Sequence, residues 1–186
     1  MTRLVAVVLG LLLPALALPA AAAEPVPVVD GVDAAGDVTL MRDDGGLTLR
    51  QRTSVDLRRV GVTDLGRKVR FAVKTRRVTS SQKFLQRVSV RFEDEGGVRL
   101  GNVSFSWQDR RFRVAVHYVA EEIRVACKPV PQRARRDGKE VSLRVPKRCL
   151  PPGRVHIRVG TSTTRRPHGP AYSRDTLTLP GVHELR

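Results

Sequence analysis

The chain has 186 residues and a formal charge of +16, from 34 basic and 18 acidic side chains. That length is one domain's worth, large enough to bury a single core. So positive a field favours polyanionic partners (wall polymers, anionic lipid, nucleic acid or acidic proteins), although 28 of the 34 cations are arginines, a bias that GC-rich coding produces unaided.

The first stretch, MTRLVAVVLGLLLPALALPAAAAEP, holds Arg3, an apolar run from Leu4 to Leu18 and a small-residue tract from Ala20 to Ala23. It reads as a signal peptide, residues 1–23, cut after Ala23. The run is short for a membrane span of about 20 residues. The absence of an Arg pair favours the general secretory route, and the absence of a Cys at the cleavage point argues against a lipid anchor. The expected location is therefore secreted, extracellular, with cell-wall association open to it.

Residues 24–36, EPVPVVDGVDAAG, lack any period and read as an extended lead-in. The expected domain is 37–186. There the sequence alternates with period two, the mark of half-buried strands. Val38–Met41 and Leu47–Arg50 flank a turn at Asp43-Asp44-Gly45-Gly46. Parity switches at Arg58-Arg59, as in a β-bulge. Lys68 to Thr75 follows, then strands through Val88, Val90 and Phe92, and through Val98 to Trp107, with a second bulge near Gly101-Asn102. Further strands carry Phe112, Val114, Val116 and Tyr118, then Ile123, Val125 and Cys127. After a loop containing Arg133 to Gly138 come Val141, Leu143 and Val145, then Val155, Ile157 and Val159. A polar loop from Thr161 to Ala171 precedes Leu177 and Leu179. The nearest approach to helical period is one turn at Thr79 to Leu85.

About ten short strands with regular turns predict an all-β fold: an antiparallel two-sheet sandwich, Ig-like or jelly-roll-like. An up-and-down barrel with an internal ligand site is the alternative. The predicted inward set is Val69, Phe71, Val73, Val88, Val90, Phe92, Phe105, Trp107, Phe112, Val114, Val116, Val141, Leu143, Val155 and Ile157. Cys127 and Cys149, both in the exported part, are expected to pair, since two cysteines allow one connectivity.

The outward parity is basic on most strands: Arg87 and Arg91, Arg111 and Arg113, Arg124, Arg144, Arg158. On one sheet they would form a positive face; divided between two, they would spread around the molecule. Solvation and protection of sheet edges explain the same pattern without a ligand. The candidates for polyanion contact are Lys74, Arg76, Arg77, Arg111, Arg113, Arg133, Arg135 and Arg136. The rings take the inward parity, except Tyr172 in its polar loop, so contact would be electrostatic and no specific nucleic-acid binding is expected.

No catalytic, cofactor-binding or metal-binding motif occurs. His117 and His156 sit on outward strand parity, and His168 and His183 in loops. Asp30, Asp33, Asp37, Asp43 and Asp44 cluster near the start. Their spacing matches no calcium loop, and aspartate is common in turns for its own hydrogen bonding, so the sequence reads as turn chemistry with no metal.

The segments VDLRRVGVTDLGRKVRFAV (Val55 to Val73), VSLRVPKRCL (Val141 to Leu150), VHIRVGTST (Val155 to Thr163) and AYSRD (Ala171 to Asp175) carry a resemblance. The chain resembles a loose group of small, secreted, mostly uncharacterised β-sandwich proteins of GC-rich actinobacteria. The resemblance implies a secreted domain with a disulfide and transfers no site residue. The expected function is a secreted, non-catalytic binding or structural module associating electrostatically with anionic cell-wall or surface polymers. The alternatives are a small-ligand carrier, and an extracellular hydrolase in which His168 or His183 meets Asp175 or Glu184. Oligomeric state is left open.

Overall fold

The alternation folds, in a computed structural model of the chain, into two antiparallel sheets. The structure describes residues 25–41, 46–79, 81–108, 111–118, 127, 134–137, 139–165 and 170–186. The expected leader, Asp43, Asp44, Arg124, Arg133 and His168 lie outside them.

Among the described residues the strands are β1 (Val26–Val32), β2 (Thr39–Leu40), β3 (Leu57–Asp64), β4 (Lys68–Thr75), β5 (Leu85–Glu93), β6 (Arg99–Gln108), β7 (Arg111–Tyr118), β8 (Ala134–Asp137), β9 (Glu140–Pro146), β10 (Arg154–Thr164), β11 (Ala171–Thr178) and β12 (His183–Glu184). One sheet has the order β1-β3-β4-β9-β8; the other runs β2-β11-β10-β5-β6-β7, with β12 also paired to β10. Two separate sheets make this a sandwich, not a closed barrel.

The interior follows parity. Val60, Val62, Val69, Phe71, Val73, Val141 and Leu143 face inward from the first sheet, and Val88, Val90, Phe92, Phe105, Trp107, Val155 and Ile157 from the second, all buried in one cluster. Val114 is only partly buried, as befits β7 at a sheet edge. Cys127 and Cys149 form a disulfide with Cα atoms 4.8 Å apart, inside the same core.

Besides the polar loop expected from Thr161, whose first four residues belong instead to β10, three local expectations need correction. Residues 26–32 are no lead-in: they form β1, hydrogen-bonded along β3. Pro27 is tolerated because β1 is an edge strand, where a missing N–H goes unmissed. Leu47–Arg50 is no strand either, because Thr48 starts a one-turn helix, α1 (Leu49–Arg52). Thr48 Oγ1 accepts from Gln51 N–H at 3.3 Å and Gln51 Oε1 accepts from Thr48 N–H at 2.8 Å, a reciprocal cap. Third, Tyr172 is not a surface ring: it is buried against Leu47 and Phe84 in a small second cluster.

The bulge at Arg58 is present, since the register slips between Leu57 and Arg59. The second falls one residue before its expected place, at Leu100, which lies between Arg99 and Gly101 opposite Glu93 and Phe92.

Residues 48–56 close one end of the sandwich. Polar residues on the inward parity of the second sheet reach them. Thr161 Oγ1 donates to Val55 O at 2.6 Å, Gln86 Nε2 to Ser54 Oγ at 2.8 Å, and Ser173 Oγ to Arg52 O at 2.7 Å. At the β1 edge, Gly31 lets the sheets approach: a methyl there would lie 2.5 Å from Leu179 Cδ2. That approach sets the turn after β1 beside β11.

Candidate functional site

The predicted cations divide among three places. Lys74, Arg76 and Arg77 are exposed at and just beyond the end of β4, where the closing segment holds the backbone of the last two. Arg76 N–H donates to Asp56 O at 2.7 Å and Arg77 N–H to Ser54 O at 3.0 Å. Two shallow grooves of about 810 and 420 Å³ meet here, sharing Arg76 and Lys139 and drawing in Arg50, Arg58 and Arg59. None of the last four was predicted; they come from elements distant in the chain. Arg111 and Arg113 lie on β7, an edge of the second sheet, opposite Gln108 and Ser106. Arg135 and Arg136 lie on β8, an edge of the first, opposite Ser142 and Val141.

The larger cationic surface is the outer face of the seven-stranded sheet. Register lines up three rows across its strands. One is Thr178–Arg158–Arg91–Asn102–His117. The next is Thr176–Gly160–Ser89–Ser104–Ala115. The third is Arg174–Ser162–Arg87–Ser106–Arg113. A lane of small neutral side chains therefore runs between two cationic rails. At about 3.3 Å per residue the rails stand roughly 13 Å apart, and five strands at about 4.8 Å give a lane near 19 Å long. Arg87, Arg91, Arg99, Arg158, Arg174 and the exposed His117 border an open depression of about 440 Å³ on this face.

Charge is balanced differently on the two sheets. On the outer side of the first, Arg59 is paired with Asp30, Arg70 with Glu140 at 2.7 Å, and Lys147 with Asp64 at 2.6 Å. On the second, Arg91 lies 3.5 Å from Glu93 and Arg154, at the start of β10, 3.5 Å from Glu95. Among the described residues no carboxylate pairs with Arg87, Arg158 or Arg174. Arg91 and Arg158 lie directly across from each other, a like-charge pair that opposes sheet formation unless an anion lies between them.

Two of the histidines, His156 and His183, are tied to backbone. His156 Nδ1 lies 3.1 Å from Gly181 O and His183 Nε2 2.8 Å from Pro180 O. Asp175, considered as a partner for His183, instead accepts from Leu57 N–H at 2.6 Å and from Thr176 N–H at 2.7 Å.

Two of the early aspartates, Asp33 and Asp37, meet Asp175, each with a carboxylate oxygen within 4.8 Å of the others. Burial pushes the Asp33 carboxyl up to about 6, with the negative charges of Asp175, Asp37 and Asp56 acting in the same direction. Asp175 is raised as well, by burial first, against the two N–H groups it accepts from. A cation beside the group is Arg58, whose guanidinium lies 2.6 Å from Asp56 Oδ2. A carboxyl with a raised folded-state pKa holds its proton more tightly folded than unfolded. Its destabilising effect is full above pH 6 and disappears as pH falls from about 6 towards the unfolded value of 3.8. Asp30 and Asp64 are lowered by their pairs with Arg59 and Lys147, so their stabilisation is lost only below 3.8. In metal-free buffer the thermal midpoint should therefore gain on moving from pH 7 to pH 5, and Asp33→Asn should flatten that gain. Melting curves of both proteins across the window decide it.

Comparison with protein-family models, curated protein sequences and solved structures returned no match, so the reading of this chain rests on its own geometry.

Proposed function

We propose that this chain is an exported, non-catalytic module that holds to anionic extracellular polymer through the outer face of its seven-stranded sheet. The observation that carries the reading is the pair of cationic rails, Arg158–Arg91 and Arg174–Arg87, flanking a neutral lane of Thr176, Gly160, Ser89, Ser104 and Ala115. Small side chains let a polymer backbone lie close to the sheet. Hydroxyl groups bond phosphate or sugar oxygens, and the guanidinium groups take the anions at either side, as arginine does well through its planar fork. The rings of Phe71, Phe84, Phe92, Phe105, Trp107 and Tyr172 are all buried, so they offer no platform for stacked bases. The grooves around Arg76 and Lys139 provide a second, weaker cationic surface at the end of the sandwich.

Retention on phosphocellulose, measured as binding against salt concentration, tests this. The triple variant Arg87→Gln/Arg158→Gln/Arg174→Gln should elute at clearly lower salt, with the log–log salt slope reduced by about 2–3. Lys74→Gln/Arg76→Gln/Arg77→Gln should change it less. Equal losses from both triples would show that net charge alone governs retention and would defeat the assignment to this face.

A further inference from the structure

We propose that Asp33, Asp37, Asp56 and Asp175 form a binding site for a divalent cation of the calcium type, next to the polymer-binding face, whose depression Asp175 also lines. The fold assembles it from three places: the turn after β1, the residue entering β3, and the buried inner parity of β11. Oxygens of Asp33, Asp37 and Asp175 lie within 4.8 Å of one another, close enough to share one cation whose bonds to oxygen are about 2.3–2.6 Å.

Proximity of acids alone is ordinary; the neighbouring Asp56 is not. Its side chain is 0% exposed. One oxygen, Oδ2, accepts from Gly36 N–H at 3.2 Å and from Arg58 at 2.6 Å. The Gly36 bond fixes this carboxylate beside Asp37, and its charge acts on both Asp33 and Asp175. The other oxygen, Oδ1, is buried and has no hydrogen-bond partner among the described residues. Asp33 Oδ2 is buried and unpartnered in the same way. A buried carboxylate oxygen left without a donor is costly, and a cation bound among these carboxylates offsets that cost.

The charge count points the same way. This chain carries nearly two basic groups per acidic one, 34 against 18, and several of its acids take a basic partner, as Asp30, Asp64 and Glu140 do. Here, among the described residues, the ion pair given is that of Arg58 with Asp56, while Asp33, Asp37 and Asp175 lie together beside it. The donor set is oxygen only, which suits a hard cation rather than zinc or copper. Carboxylates fixed to three separate elements and partly withdrawn from water suit calcium, which accepts irregular all-protein shells, better than magnesium, which keeps its waters and a strict octahedron.

The test uses the full chain stripped with chelator, at pH 7.5, with calcium chloride or magnesium chloride up to 10 mM, read by thermal melting and titration calorimetry. Calcium should bind and raise the melting midpoint by about 5–10 °C at a hundredfold excess over its dissociation constant, with magnesium weaker. The variant Asp33→Asn/Asp37→Asn should lose at least tenfold in calcium affinity. Without cation it should melt at or above the stripped parent, because repulsion is relieved. Asp37 is exposed, so Asp37→Asn alone gives the same comparison should the double variant fail to fold. Absence of heat and of any shift with the parent overturns the proposal. So does an unchanged calcium response in the variants, which would put the cation elsewhere, and so does tighter binding of magnesium than calcium.

Discussion

Replacing Phe71 with alanine is expected to remove about 3–5 kcal/mol of folding stability. Phe71 is 0% exposed on β4, at the centre of the five-stranded sheet. Its ring centroid lies 6.0 Å from that of Phe92, tilted by 59°, and Phe92 belongs to β5 of the other sheet. The pair therefore spans the gap between the layers in the tilted arrangement that aromatic quadrupoles favour. Truncation leaves a cavity that neither sheet can close, since the backbone on each side is fixed by ladder hydrogen bonds. The check is a urea titration, in which the midpoint should fall with the slope unchanged. Val26→Ala, at a residue 59% exposed on the edge strand β1, should stay within about 0.5 kcal/mol. Equal losses at both positions would mean that the sheets do not share one interior.

Removal of the disulfide should cost about 3 kcal/mol, the chain-entropy value for a closed loop of this length. The sequence separation of Cys127 and Cys149 is 22 residues, and the loop includes the whole of β8 and β9. Both cysteines are buried to within 1%, so Cys127→Ala/Cys149→Ala is a better probe than serine, which would bury two hydroxyl groups. Comparison of oxidised parent, reduced parent and double variant by urea titration separates the cross-link from the packing of the sulfurs. A reduced parent within 1 kcal/mol of the oxidised one would show that the loop is already constrained without the bond.

Parity made most of this fold legible. Wherever an apolar residue recurs at every second position, as in Val69-Phe71-Val73 or Val88-Val90-Phe92, the strand and its buried face follow from the pleat alone. The failures have local causes. Val26–Val32 contains a proline, a glycine and an aspartate, which suggests loop, yet an edge strand accepts all three. Leu47 to Arg50 shows two apolar residues at strand spacing, while the Thr48 to Gln51 cap, readable as S/T-x-x-E/Q, is the signal that decides for helix. Tyr172 has polar neighbours in sequence and apolar ones in space.

The sites were less legible, for a different reason. The basic parity of Arg87, Arg91 and Arg158 was plain along each strand, but whether those strands adjoin depends on pairings such as β5 with β10, which link residues some seventy positions apart. The aspartate site is harder still. Asp33 and Asp37 are close in sequence, whereas Asp56 and Asp175 reach them only through the fold, so no search for ligand spacing along the chain could assemble the set.

The strand order also bears on how the molecule comes together in time. β4 and β5 are consecutive in the chain but lie in different sheets, and so are β9 and β10; β4 pairs with β9 while β5 pairs with β10. One long-range encounter between these two segments therefore starts both ladders at once, and neither layer can finish without the other. Contacts so distant in sequence pay their loop entropy first, which sets the refolding rate in the slow, millisecond-to-second class. The two layers should accordingly appear and vanish in a single transition, with no half-built species holding one completed sheet.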